Sequence, residues 1–230
     1  MKTAIKICGI TRGVDAKLAL ENGAQYLGLI FVPGSRRYVS PGQARFIIDE
    51  IRQTKFVERK DKLHLPAERS FKIVGVFQNA PLSHIQNIIM QTGIDMVQLH
   101  GEESPQLCEA INLPVIKAIE LDVEDPPSLL RQYDKVAEFL LFDRPKASNK
   151  AGQEQGWLSR AISFLQDKKE NLNSIRYFFA GGLDHTNVSD VLSALSPYGV
   201  DVASSIESQP GIKDKSKLEQ FCQSVHSGVE

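Results

Sequence analysis

Residues 5–11 read Ile5-Lys6-Ile7-Cys8-Gly9-Ile10-Thr11, a strand pattern followed at once by a turn pattern. The β-branched residues favour a short strand that ends on the thiol of Cys8, while Gly9 and Thr11 are typical of a turn into a helix. A cysteine at the carboxyl end of a strand can face a ligand and act as a base or a nucleophile. A free cysteine is also often a small buried hydrophobic residue. Both interpretations of Cys8 are open on this stretch alone.

The same alternation of strand-like and helix-like segments continues along the chain. Eight such units in 230 residues average about 29 residues each, and this pattern implies parallel strands with right-handed crossovers. We therefore predict an α/β fold, a (βα)8 barrel, as a single domain over residues 1–230. A doubly wound open sheet is the alternative, but its dinucleotide-binding form lacks support because no Gly-x-Gly-x-x-Gly follows the first strand. The predicted strands are Ile5–Cys8, Tyr26–Val32, Lys72–Phe77, Asp95–Leu99, Val115–Ala118, Phe139–Phe142, Arg176–Ala180 and Val200–Ala203.

The sequence also contains signals for helix starts and two polar segments between the predicted strands and helices. Ser40-Pro41 and Ser104-Pro105 each place a capping serine before a proline that suits the first helical turn. Thr54–Ser70 is rich in Lys, Arg and Glu and predicts a solvated extension after the second helix. Arg144–Gly156 is polar, contains two glycines and predicts a mobile loop after the sixth strand.

The composition excludes several classes of protein. A net charge of −1 leaves no basic footprint for nucleic acid. Three cysteines, an odd number without Cys-x-x-Cys spacing, argue against a disulfide framework and a structural zinc site. No apolar run approaches the roughly 18 residues of a membrane span, and Met1-Lys2 leads directly into a strand without an apolar leader. We expect a reduced, soluble, cytoplasmic protein that binds neither nucleic acid nor membranes.

Polar residues two positions apart on a strand share one face, because side chains alternate across the strand. Their apolar neighbours are expected to face the helices, which places the polar residues inside the barrel. A charge in such an interior is costly unless it is paired, so we expect Lys6, Lys117 and Asp201 to form internal ion pairs. Asp143 instead ends the sixth strand, at the catalytic rim of this fold. The predicted inward-facing polar residues are Lys6, Cys8, Gln98, His100, Lys117, Asp143 and Asp201.

Two loops after the last strands predict a phosphate site. Ala180-Gly181-Gly182-Leu183 follows the seventh strand, and Ala203-Ser204-Ser205 follows the eighth. In these barrels such loops commonly bind phosphate through backbone N–H groups, which glycine lets approach closely. After the second strand, Arg36 and Arg37 form either a clamp for a carboxylate or a solvated pair. His100 is a further candidate at the rim, and no group of residues has metal-ligand spacing.

Five segments, spread in order through essentially the whole chain, carry recognisable motifs. They are Lys6-Ile7-Cys8-Gly9-Ile10-Thr11, the Phe31–Tyr38 loop, Val97-Gln98-Leu99-His100-Gly101, Ala180-Gly181-Gly182-Leu183 and Glu207-Ser208-Gln209-Pro210-Gly211-Ile212-Lys213-Asp214. Together these motifs resemble the phosphoribosylanthranilate isomerase family of tryptophan biosynthesis. We know of no other family that combines them.

The resemblance implies an Amadori rearrangement that needs neither cofactor nor metal. In it, N-(5-phosphoribosyl)anthranilate, a small phosphosugar substrate, becomes 1-(2-carboxyphenylamino)-1-deoxyribulose 5-phosphate. The resemblance further implies that Cys8 is the general base, that Asp143 is the general acid, and that Arg37 holds the anthranilate carboxylate. The residues on which it places the phosphate are Gly181, Gly182, Ser204 and Ser205.

One loop departs from the pattern of that family. The family has a Gly-Gly-x-Gly loop after the catalytic Asp and then Phe-Asp-Trp before the sixth helix. Here residues 151–157 read Ala151-Gly152-Gln153-Glu154-Gln155-Gly156-Trp157, so that Gly156 stands in place of the Asp before the Trp.

Two alternatives stay open on the sequence alone. Another phosphosugar barrel, such as an aminoaldose isomerase or an indoleglycerol-phosphate synthase, uses paired Asp residues or a Lys/Glu set, which Cys8 with Asp143 does not match. A non-catalytic or altered-specificity phosphosugar-binding barrel is the alternative from another class. The sequence allows either a monomer or a homodimer.

Overall fold

The computed structural model describes residues 3–54, 71–121, 132–145, 154–168 and 175–228. Eight parallel strands form a closed barrel in sequence order, with the last strand paired to the first. The predicted α/β barrel and its eight strands are confirmed, with strand ends that shift by about two residues. The predicted Thr54–Ser70 extension and Arg144–Gly156 loop lie largely outside the described residues. The strands are β1 (Ala4–Cys8), β2 (Tyr26–Ile30), β3 (Lys72–Phe77), β4 (Met96–Leu99), β5 (Val115–Glu120), β6 (Phe139–Asp143), β7 (Tyr177–Phe179) and β8 (Gly199–Val202).

The described residues also form seven helices and a short antiparallel hairpin. The helices are α1 (Gly13–Glu21), α2 (Pro41–Gln53), α3 (Leu82–Thr92), α4 (Pro105–Glu109), α5 (Glu154–Asp167), α6 (Val188–Leu195) and α7 (Lys215–Ser227). The hairpin consists of β9 (Glu207–Gln209) and β10 (Ile212–Lys213), between β8 and α7. Ser40 and Ser104 cap α2 and α4 as predicted, each accepting a backbone N–H bond from three residues further on, at 3.2 and 3.4 Å. None of the described helices is long and apolar enough to cross a membrane.

The apolar residues form two buried layers, one on each side of the barrel wall. The outer layer lies between strands and helices and takes its strand contribution from alternating residues such as Ile5 and Ile7. The inner layer fills the amino-terminal end of the barrel with an aromatic plug, formed by the edge-to-face rings of Tyr26, Phe139 and Phe178. Because this end is filled by rings, the inward-facing polar residues lie nearer the carboxyl ends of the strands.

A buried ion pair lies where β1 meets β8. The side chain of Lys6 is 0% exposed, and its ammonium donates to Oδ1 of Asp201 at 2.9 Å. Burial alone would lower the pKa of Lys6, but the Asp201 carboxylate outweighs this effect and holds that pKa above its usual value. The predicted internal pairing of these two residues is confirmed.

The prediction that Lys117 faces the barrel interior is wrong. Its neighbours Ile116 and Ala118 point inward, so Lys117 lies on the outer face of β5. There its ammonium donates to the Glu103 carboxylate at 2.9 Å and to the carbonyl oxygen of Gly101 at 2.6 Å. These two partners, which offset the energetic cost of burying the Lys117 charge, both belong to the loop after β4. The bonds from Lys117 hold that loop against the barrel wall.

Gly199 makes room for the aromatic plug, since a Cβ there would lie 2.4 Å from Cε1 of Phe178 and 2.9 Å from the carbonyl oxygen of Ala4. We expect Gly199→Ala to lower the free energy of unfolding by about 1–3 kcal/mol, because the overpacked core must shift. Gly42→Ala in α2 is the matched control: nothing lies within 4 Å of its Cβ, and a gain of up to about 1 kcal/mol is expected. Urea denaturation measures both, and equal midpoints for the two variants would contradict this packing argument.

Candidate active site

The sequence-predicted site residues lie at the carboxyl-terminal rim of the barrel. Cys8 and Asp143 are the last residues of β1 and β6, and His100 directly follows β4. Because all eight strands are parallel, their carboxyl ends meet at this one rim. The remaining predicted residues lie in the loops after β2, β7 and β8 and are Arg37, Gly181, Gly182, Ser204 and Ser205.

Cys8 is closely enclosed at the end of β1, with 7% of its surface exposed. Gly28 of the neighbouring β2 faces the thiol, and a Cβ at Gly28 would come within 2.7 Å of the sulfur. Lys6 lies two residues earlier on the same face of β1, so the Lys6–Asp201 pair lies beneath Cys8. The thiol therefore occupies a narrow niche that depends on the missing side chain of Gly28.

The charges around Cys8 set the pH at which its thiol ionises. Burial raises its pKa most strongly, the Lys6 ammonium lowers it, and the Asp201 carboxylate raises it again. The ammonium of Lys213, from the hairpin, also lowers it. The net result is a pKa above the usual value for a thiol, so the unliganded site holds Cys8 as a neutral thiol at pH 7.

Two nitrogen atoms lie against the carboxyl group of Asp143. Its Oδ2 lies 3.3 Å from Nε2 of His100, and its Oδ1 accepts the backbone N–H of Arg144 at 2.7 Å. Nδ1 of His100 lies 3.0 Å from the amide nitrogen of Gln98, whose amide oxygen has no hydrogen-bond partner among the described residues. In this amide orientation Gln98 donates to Nδ1, which leaves the imidazole proton on Nε2, facing Asp143. The contact brings the predicted rim candidate His100 together with Asp143.

Arg37 lies beside Cys8, but its guanidinium is bound by Glu207. Nε and Nη2 donate to the Glu207 carboxylate at distances of 2.6 to 3.1 Å. The side chain passes over Gly9, where a Cβ would lie 2.5 Å from Cδ of Arg37, and Gly9 has a φ of +73°. Glycine is therefore needed at this position for both space and conformation. Nη1 is the guanidinium nitrogen that does not bond to Glu207.

A cavity of about 560 Å³ opens beside the loops that follow β6, β7 and β8. Gly181, Gly182 and Ser204 line it, as does Arg144. The two glycines have φ values of +93° and +78°, and a Cβ on Gly181 would lie within 3 Å of both Arg144 and Trp157. Exposed backbone without side chains and a cation in the wall suit an anion such as phosphate. Three of the four predicted phosphate residues therefore line one cavity.

Ser205, the fourth predicted phosphate residue, is placed differently from Ser204. Its hydroxyl donates to the carbonyl oxygen of Leu183 and so joins the loop after β8 to the loop after β7. Ser204 lines the cavity, and Ser205 is not among the residues that line it. A role for Ser205 in binding phosphate stays a prediction.

Three charged residues at the rim were not expected from the sequence. Glu207 and Lys213 are buried and bond to each other at 3.0 Å. Their signal in the sequence is the motif Glu207–Asp214, which carries the family resemblance but assigns no role to either residue. Arg144 lines the cavity, and nothing in the sequence separates it from the other basic residues of its polar segment.

Comparison with known proteins agrees with this geometry. The sequence model of a family described as N-(5'phosphoribosyl)anthranilate (PRA) isomerase matches residues 5–224. The chain belongs to this family. An N-(5'-phosphoribosyl)anthranilate isomerase of Nitrosococcus oceani is 36% identical over 228 residues, which cover 99% of both chains. One of Geobacter sp. (strain M21) is 37% identical over 220 residues, covering 95% of this chain and 96% of the relative.

Solved structures of phosphoribosyl anthranilate isomerases have the same fold. The one from Thermotoga maritima gives a TM-score of 0.80 at 30% identity, over 98% of this chain and 99% of that chain. Another, in complex with reduced 1-(o-carboxyphenylamino)-1-deoxyribulose 5-phosphate, gives a TM-score of 0.78 at 29% identity with the same coverage. The family resemblance seen in the sequence motifs is confirmed.

Trp157 lies in the first turn of α5 and is buried. Trp157 is 5% exposed, donates from Nε1 to the carbonyl oxygen of Leu121 at 3.3 Å, and packs against the ring of Phe179. The tryptophan therefore attaches this end of α5 to the barrel.

We expect Cys8 to ionise at a higher pH than an exposed cysteine, because its burial outweighs the two ammonium groups beside it. A thiolate absorbs in the ultraviolet, so the difference between titrations of the unaltered chain and Cys8→Ala isolates this group from Cys108 and Cys222. Ionisation of Cys8 at a lower pH than that of a cysteine in an unstructured peptide would show that the cations dominate instead.

Proposed function

We propose that the chain catalyses the Amadori rearrangement of N-(5-phosphoribosyl)anthranilate to 1-(2-carboxyphenylamino)-1-deoxyribulose 5-phosphate in tryptophan biosynthesis. The observation that carries this proposal is the position of Cys8 and Asp143 at the ends of β1 and β6, on the same rim as an anion cavity, in a barrel of this family. The two groups supply the base and the acid that two successive proton transfers require.

The reaction needs one proton to be given and another to be taken. The carboxyl group of Asp143 gives its proton to the furanose ring oxygen, the bond from that oxygen to C1′ breaks, and the nitrogen lone pair forms the C1′=N bond of a protonated Schiff base. The Cys8 thiol first loses its proton to solvent, and the resulting thiolate takes the proton from C2′. The freed electron pair forms the C1′=C2′ bond while the C1′=N pair returns to nitrogen, which gives an enolamine. Transfer of the hydroxyl proton from the C2′ oxygen to C1′ gives the ketone.

Asp143 suits the role of acid because its carboxyl group is both oriented and accessible. The backbone N–H of Arg144 holds one of its oxygens, Nε2 of His100 lies 3.3 Å from the other, and 27% of the side chain stays exposed at the rim. This exposed edge lets the carboxyl group reach a substrate bound at the rim.

Cys8 suits the role of base because its thiolate forms beside cations. Lys6 and Lys213 each lower the pKa of the thiol, against the larger effect of burial. The guanidinium of Arg37 lies next to it and adds a further positive charge. A thiolate in this niche is poorly hydrated, which favours its recapture of a proton from carbon.

The two anionic ends of the substrate have separate cationic partners on the rim. We infer that Nη1 of Arg37 holds the anthranilate carboxylate while Nε and Nη2 stay on Glu207. The phosphate is placed on the backbone N–H groups of Gly181 and Gly182, beside Arg144 in the cavity wall. Binding at both ends fixes the direction of the substrate across the rim, and such orientation is itself a large part of catalysis.

The assembly and location of the chain are further parts of the proposal. A solved structure from Thermotoga maritima is described as monomers generated from a dimeric phosphoribosylanthranilate isomerase. We propose that this chain, a single domain over residues 1–230, works as a monomer or a homodimer, since Cys8, Asp143 and the cavity all belong to one chain. Its three cysteines are buried and form no disulfide, which favours a reducing compartment such as the cytoplasm.

Cys8→Ala and Asp143→Asn are each expected to lower kcat by at least about 100-fold, because each removes a proton-transfer group. The measurement follows the loss of anthranilate-type fluorescence when the purified chain turns over phosphoribosylanthranilate. Cys108→Ala is the matched control, since Cys108 is a buried thiol of α4 in the outer apolar layer; it is expected to keep most of the activity. A near-normal kcat in Cys8→Ala or Asp143→Asn would remove that residue from its proposed role.

The same assay separates the enzyme from the alternative of a non-catalytic phosphosugar-binding barrel. A barrel of that kind binds the reduced product analogue but gives no turnover in the unaltered chain. An altered-specificity barrel binds the analogue weakly and is active on a different phosphosugar.

A further inference from the structure

The ammonium of Lys213 bonds to the ends of both strands that close the barrel. It donates to the carbonyl oxygen of Cys8 at 2.6 Å and to that of Ala203 at 2.9 Å. Its third bond goes to Oε1 of Glu207 at 3.0 Å, and 0% of its side chain is exposed. All three N–H groups of a buried ammonium are therefore used, and two of them hold backbone at the rim.

Glu207 connects Lys213 to Arg37. Its side chain is 4% exposed, and its carboxylate accepts from the Arg37 guanidinium, from Lys213 and from the backbone N–H of Gly211. Burial alone would raise the pKa of Glu207, but the hydrogen bonds of Arg37 and the charge of Lys213 bring it below the usual value. The carboxylate is therefore ionised in the folded chain, and the three residues form one buried charged network.

Two further contacts fasten the hairpin to the turn after β1. Thr11 Oγ1 donates to the carbonyl oxygen of Gly211 at 2.5 Å, and Oδ2 of Asp15 accepts the backbone N–H of Lys213 at 3.3 Å. Asp15 is itself held by Arg12 through bonds of 2.7 and 2.9 Å. The hairpin is thus attached to Cys8 and also to the turn and helix that follow it.

We propose that Lys213 and Glu207 are positioning residues for the isomerisation: Lys213 holds the backbone of Cys8 against β8, and Glu207 sets the guanidinium of Arg37 beside it. This inference rests on the proposed function and deepens it. It says that one network sets the distance between the proposed base, Cys8, and the proposed carboxylate-binding group, Arg37. A misplacement of about 1 Å in such a spacing costs about 100-fold in rate. Both residues act through Cys8 and Arg37 and have no need to touch the substrate.

The ionisation of Cys8 distinguishes positioning from simple support of the fold. Lys213→Met removes a positive charge and leaves the Glu207 carboxylate nearby, so we expect the Cys8 thiolate to form at higher pH. Glu207→Gln removes a negative charge, so we expect the Cys8 thiolate to form at lower pH. A network that only stabilised the fold has no reason to move this titration in opposite directions. The titratable or charged groups that face Cys8 or its charged neighbours, among the described residues, are Lys6, Arg37, His100, Asp143, Asp201, Glu207 and Lys213.

The test compares Lys213→Met, Glu207→Gln and a matched control, Lys217→Met. Lys217 belongs to the same segment and donates to the backbone carbonyl of Glu207 at 3.0 Å, but it is exposed and away from the thiol. The ultraviolet titration of Cys8 in the unliganded chain is measured first, followed by kcat and KM for phosphoribosylanthranilate. We expect Lys213→Met to lower kcat by roughly 10- to 100-fold. We expect Glu207→Gln to raise KM by about tenfold with a smaller change in kcat. Lys217→Met should leave kcat, KM and the ionisation of Cys8 unchanged.

Two outcomes would overturn the proposal. One is that the pH at which Cys8 ionises is unchanged in both variants or shifts in the same direction in both. The other is a kcat and a KM that both variants leave at the level of the control. If Lys213→Met does not fold, Glu207→Gln alone tests the proposal: its Cys8 thiol should ionise at a lower pH and its KM should be higher than in the unaltered chain. A lack of turnover in the unaltered chain would count against the proposed function, whereas the titration still tests the network.

Discussion

A buried ion pair joins the first strand of the barrel to the last. Lys6 of β1 and Asp201 of β8 are opposite each other in the parallel register, and their side chains meet at 2.9 Å inside the barrel. Two charges are tolerated in this interior because they are paired, and removing one partner of such a pair costs about 3–5 kcal/mol. The same pair lies beneath Cys8, where Lys6 favours the thiolate and Asp201 opposes it. The contact at which the barrel closes therefore also governs the proposed base.

Cys8 lies between two sets of charged groups at the rim. Below it is the Lys6–Asp201 pair, and beside it is the network of Lys213, Glu207 and Arg37. In both sets a carboxylate offsets part of the attraction that a cation exerts on the thiolate. Burial then decides the outcome, so that the resting thiol is neutral and the charges that favour its ionisation are already in place. The thiol must lose its proton before it can act as the proposed base.

Sequence patterns predict the parts of this molecule that depend on local regularity. The eight strands follow from repeated apolar segments, and the helix starts at Ser40 and Ser104 follow from capping chemistry. The prediction for Lys117 failed. Its charge suggested an inward side chain, but it lies on the outer face of β5, where its partner is Glu103 of the loop after β4. The link from Lys213 to Cys8 spans 205 positions in the chain and depends on tertiary contact, which no local pattern contains.

The central claim is that Cys8 takes a proton from the carbon C2′ of a substrate held between Arg37 and the loop of Gly181. A crystal structure of the chain with reduced 1-(o-carboxyphenylamino)-1-deoxyribulose 5-phosphate tests it most directly. The account predicts the sulfur of Cys8 at about 3–3.5 Å from C2′, with the carboxylate on Arg37 and the phosphate on the Gly181 backbone. A ligand bound in the reverse direction, or a side chain between the sulfur and C2′, would contradict it.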